Sequence, residues 1–175
     1  MGTASSWCIP LGKLTVRELV RFAVLGAMTF AAKYVMSFLP NIEPVSLCVM
    51  LYAVVFGKKW VYPVYLYVLL EILFYGINLW NINYLYIWAV LGTAAYCLRD
   101  MEGRLGWAIL SGSFGLLFGA LCGIADVFVG GISYAVARWV SGIPFDIAHC
   151  AGNFFMALLL FAPMRKLLER LCKKG

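Results

Sequence analysis

The stretch IPFDIAHCAGNF, residues 143–154, brings Asp146, His149 and Asn153 together. Their spacing puts a carboxyl, an imidazole and an amide on one face of a helix. His149 is the sole histidine among 175 residues. Such a row can orient a polar solute, contribute to a metal site or activate a nucleophile. The rest of the chain argues against the last two. The six cysteines (Cys8, Cys48, Cys97, Cys122, Cys150, Cys172) show no CxxC spacing, and no second histidine could complete a metal site. An HExxH protease needs two histidines. Ser133 and Ser141 lie near His149 in sequence, but neither sits in a GxSxG turn. The expectation is therefore binding without catalysis, with no metal and no catalytic residue.

The elements that position these residues are apolar. The chain is 64% hydrophobic and 13% charged, against about 45–50% apolar in ordinary soluble domains. That composition predicts an all-α integral membrane protein of one domain over residues 1–175. A helix needs about 20 apolar residues to span the hydrocarbon. Six spans are predicted, at roughly 18–39, 45–57, 60–77, 82–98, 105–129 and 144–162. The second is short, and Pro144 is read as the start of the sixth. Twelve of the 14 Lys and Arg fall in four clusters: around Lys13, Arg17 and Arg21; at Lys58 and Lys59; at Arg99 and Arg104; and from Arg165 to Lys174. With six transmembrane helices all four clusters lie on one side, which predicts that the N-terminus and C-terminus are both cytoplasmic. The net charge of +6 is then a topology signal, and no nucleic acid partner is expected. No cleavable signal peptide is expected either.

Ionisable groups are costly at membrane depth and turn toward protein or water. Lys33, Glu71, Asp126 and Asp146 all fall towards the predicted outer side, which suggests a polar site open outward above an apolar floor. The segment NLWNINYLYIW adds Trp80, Asn81 and further rings and amides, suited to a planar, hydrogen-bonding solute. Simpler readings stand beside this one. Lys33 and Glu71 can pair with each other. Asp146 can cap a helix opened by Pro144, and Asn153 can bond a neighbouring helix. Some of the rings fit an interfacial belt, and Arg138 beside Trp139 can hold an anion or anchor a loop. The candidate lining residues are Glu71, Trp80, Asn81, Asp146, His149 and Asn153, with Lys33 and Arg138 as charge partners.

Two stripes of small residues recur at every fourth position: Ala23, Ala27 and Ala31, and Gly115, Gly119 and Gly123. Both let another helix approach closely, either within the chain or from a separate membrane partner.

The AxxxAxxxA stripe, PNIEP followed by VSLCVMLYAVVFGKK, and GIPFDIAHCAGNF together resemble the substrate-binding S component of energy-coupling factor (ECF) transporters. The resemblance covers nearly the whole chain. It implies a subunit of an ABC-type importer that captures a vitamin or related micronutrient from outside the cell. It also implies that Ala23, Ala27 and Ala31 contact a transmembrane T component, and that two partner ATPases use the ATP. This chain carries no Walker motif and is expected to need no cofactor of its own. The expected location is the prokaryotic plasma membrane, as a multi-pass protein in the lipid bilayer. The alternative is a small membrane assembly factor or an intramembrane enzyme.

Overall fold

The computed structural model describes residues 14–39, 42 and 44–173. Pro40, Asn41 and Glu43 of the PNIEP motif lie outside them, as do Cys8 and Lys13. The described chain is helical. Helix α1 (Val16–Val35) opens with a capping box: Thr15 accepts the Glu18 N–H, and the Glu18 carboxylate accepts the Thr15 N–H at 3.0 Å. Helix α2 (Val45–Phe56) ends at Gly57, whose φ of 56° is open to glycine and strained for other residues. A 3₁₀ turn, Gly57–Trp60, leads into α3 (Val61–Tyr75). Helix α4 (Leu79–Cys97) is capped by the Asn78 side chain, which accepts the Asn81 N–H at 3.3 Å. The last helical run, α5, covers Arg104–Lys173.

This architecture corrects the expectation of six transmembrane helices. Among the described residues there are four continuous helical stretches, with α2, the 3₁₀ turn and α3 running together. Two of them, Val45–Tyr75 and Arg104–Cys172, are long and apolar enough to cross a membrane. The predicted first and fourth spans, now α1 and α4, do not meet that test. The predicted second and third spans are 12- and 15-residue pieces of one stretch, each shorter than the roughly 20 residues a spanning helix needs. The predicted fifth and sixth belong to the single run α5. With that count, the argument for two cytoplasmic termini loses its basis.

Helix α5 is not straight. Gly131 has φ 78° and ψ 179°, a backbone region that is essentially glycine's alone. There the chain folds back on itself. Trp107 stacks on Phe161 with centroids 4.4 Å apart. Gly112 faces Phe154, Gly115 faces His149 and Gly119 faces Asp146. Arg138 reaches back to Asp126. Partner numbers fall on one limb (132–173) as they rise on the other (104–130), so the limbs are antiparallel. Gly112, Gly115 and Gly119 let the limbs close; a Cβ on Gly115 would lie 2.8 Å from the His149 carbonyl. Gly123 meets nothing within 4 Å and is not part of this seam.

The other helices pack around α2, whose residues Val45–Ala53 are all buried. A helix surrounded on every side can be apolar on every side. Helix α1 lies along α3, with Phe22 stacked on Tyr62 and Gly26 against Pro63 and Leu66. Helices α3 and α4 are antiparallel, since Tyr67 meets Tyr84 and Trp60 packs on Gly92. Limb 104–130 covers α4, where Tyr86 donates to the Leu121 carbonyl at 2.7 Å. Large apolar side chains stay exposed along α1 and α5, among them Val24, Met28, Phe128, Ile132 and Leu159. An apolar surface of that extent is typical of a membrane or partner contact.

Candidate functional site: a buried polar cluster joined by aromatic rings

Buried ionisable side chains gather in the half of the bundle nearest the Gly131 turn. Lys33, late in α1, donates to Glu71 of α3 at 2.8 Å and to the Tyr84 hydroxyl of α4 at 3.2 Å. Its ammonium also lies 4.9 Å from the Tyr84 ring centroid, close enough for cation–π attraction. Glu71 is 1% exposed, and a carboxylate there depends on its cation. Only Oε2 meets Lys33; Oε1 is buried with no hydrogen-bond partner.

The row Asp146, His149 and Asn153 lies on limb 132–173, all three buried. Asp146 is not a cap. The helix starts well before Pro144, so no free amides of a first turn are at hand. Its Oδ1 instead accepts the Gly119 N–H across the limb seam at 3.0 Å. Oδ2 has no partner. His149 packs edge-on against Phe118, with centroids 4.8 Å apart, and its Nε2 is unpaired. Asn153 donates to the Ser46 hydroxyl at the start of α2 at 3.1 Å and to the Ser111 carbonyl at 3.4 Å. Asn153 therefore does bond its neighbours, at the level where the short α2 begins.

Aromatic rings join the two groups. Tyr84 meets Trp88 at 5.3 Å, Trp88 meets Phe118 at 6.1 Å, and Phe118 meets His149. Trp88 is fully buried, and its indole N–H is unpaired. The opposite end of the core, around Trp60, Ala95, Trp107, Ala108 and Phe161, buries no charge.

The other candidates fall at different distances from this cluster. Asn81 is buried in the first turn of α4, where it donates to the Gly76 carbonyl at 2.7 Å and leaves Oδ1 unpaired. Trp80 is 50% exposed and packs on Tyr75, away from the cluster. Arg138 stands half-exposed at the rim, 3.2 Å from buried Asp126. The segment NLWNIN, most of it between the predicted spans 60–77 and 82–98, forms the cap and first turns of α4. Reasoning from sequence did not single out Trp88, Tyr84 and Phe118 as the bridge. A 3.6-residue period through NLWNINYLYIW would have put Asn81, Tyr84 and Trp88 on one face. Ala23, Ala27 and Ala31 are all exposed, whereas Phe22, Gly26 and Thr29 turn inward. The alanine stripe therefore does not serve packing within the described chain.

Among the described residues no three His, Cys, Asp or Glu side chains converge as a metal-binding set. No family model, no curated protein and no solved structure matches the chain.

Proposed function

We propose that the chain is the substrate-specific binding subunit of an ECF-type importer, seated in the prokaryotic plasma membrane as a multi-pass protein. Its cargo is a vitamin-like organic micronutrient captured from outside. The observation that carries this reading is the buried cluster of Glu71, Asp146 and His149, each with an unpaired polar atom, joined by rings that suit a planar solute. Native interiors pair nearly all buried polar atoms. Several unpaired atoms in one region are what a site completed by its ligand would have. In this reading the residues orient and hydrogen-bond the ligand, and the chain performs no chemistry on it.

The exposed alanines support a partner role. Small residues facing outward at every fourth position offer a smooth track for a second membrane helix. A T component would take that track, and two ATPases would supply the ATP-driven step. Affinity purification of the chain from its native membrane tests the assembly. A co-purifying membrane subunit with two ATPases is the expected result. Recovery of neither, or product formation by the isolated chain, supports an assembly factor or an intramembrane enzyme instead.

A further inference from the structure

Asp146 is 6% exposed, and no cation pairs with it among the described residues. The neighbouring cations are engaged elsewhere, Lys33 with Glu71 and Arg138 with Asp126. His149, one turn along the same limb, makes no hydrogen bond to it. A carboxylate buried among apolar groups is costly unless a cation or several donors compensate it; the Gly119 N–H is the sole donor found.

The other unpaired atoms lean the same way. Glu71 Oε1 and Asn81 Oδ1 are acceptors, and the bond from Asn81 Nδ2 to the Gly76 carbonyl fixes which end of that amide is free. Trp88 Nε1 can only donate, while Ser111 Oγ and His149 Nε2 can do either. Acceptors therefore outnumber obligate donors, and the Phe118 ring lies between Trp88 and His149. Aromatic faces attract cations and repel anions.

We infer that the ligand is an organic cation, a protonated amine or amidine on a planar ring, with its charged N–H group paired to Asp146 and its ring against Trp88 and Phe118. This rests on the cluster being a ligand site, and it does not require the importer partners.

Three isosteric probes separate charge from shape: benzamidine (cationic), benzamide (neutral) and benzoate (anionic). Calorimetry on the purified chain is expected to rank benzamidine first and benzoate last. Asp146→Asn should weaken benzamidine by about tenfold or more and weaken benzamide by much less. Asp146→Glu should keep most of the benzamidine affinity. Melting curves of each variant check that it is folded. If Asp146→Asn does not fold, the ranking by the unmutated chain decides alone. Equal or tighter binding of benzamide or benzoate overturns the inference, as does failure of benzamidine to bind. A cation-first ranking in a chain that recruits no ATPases overturns the importer reading and leaves this one standing.

Discussion

The Lys33–Glu71 pair shows how a few charges can organise an apolar bundle. Glu71 is sealed in, whereas the Lys33 side chain retains 20% of its exposure. Removing only the cation should therefore hurt most. Lys33→Met leaves an unpaired buried carboxylate and should destabilise the chain by about 3–5 kcal/mol, while Lys33→Met with Glu71→Leu should recover most of the loss. Scanning fluorimetry in detergent reads both; a double variant as unstable as the single one would contradict the pairing account. This contact could be anticipated from sequence, because opposite charges in apolar helices have few other places to go. Asp146 was harder to read. Pro144 signals a helix start, but here proline sits inside a helix that began earlier, so the cap reading failed. Trp80 is exposed and Trp88 buried because they lie on different faces of α4, which starts at Leu79, about one turn before the start expected from hydropathy.

At the scale of elements, glycines decide the shape of α5. Gly131→Ala places a Cβ in a conformation that costs about 1–3 kcal/mol, so it should lower the melting temperature. Gly115→Leu should cost a further 1–3 kcal/mol, roughly, by forcing the limbs apart. Gly123→Leu should be tolerated, since nothing lies within 4 Å of that position. Equal losses at Gly115 and Gly123 would contradict the seam described for the limbs. The every-fourth-residue pattern revealed that a glycine seam exists. It did not reveal that Gly112 belongs to it and Gly123 does not, because that depends on the angle at which the limbs diverge. Hydropathy windows failed for a related reason. They treat each apolar run as a separate spanning helix, whereas α2 is apolar because other helices bury it, and α5 joins two runs through one glycine.

For the whole molecule, charge is sorted by height within the bundle. Buried ionisable groups sit near the Gly131 turn, and exposed pairs such as Arg165 with Glu169 sit at the other end. The alanine face of α1 points away from both. Ala27→Trp should abolish co-purification of a T-type subunit while leaving benzamidine binding unchanged; normal co-purification would assign that face to lipid alone. The central claim is that the cluster from Lys33 to Asn153 holds a small organic ligand. Native mass spectrometry of the chain purified from cells grown in rich medium tests it most directly. The account predicts one small-molecule adduct on the unmutated chain, lost when Asp146, His149 and Asn153 are all replaced by alanine in a variant that still melts cooperatively. A chain without any adduct, or an adduct that survives the triple replacement, would contradict it.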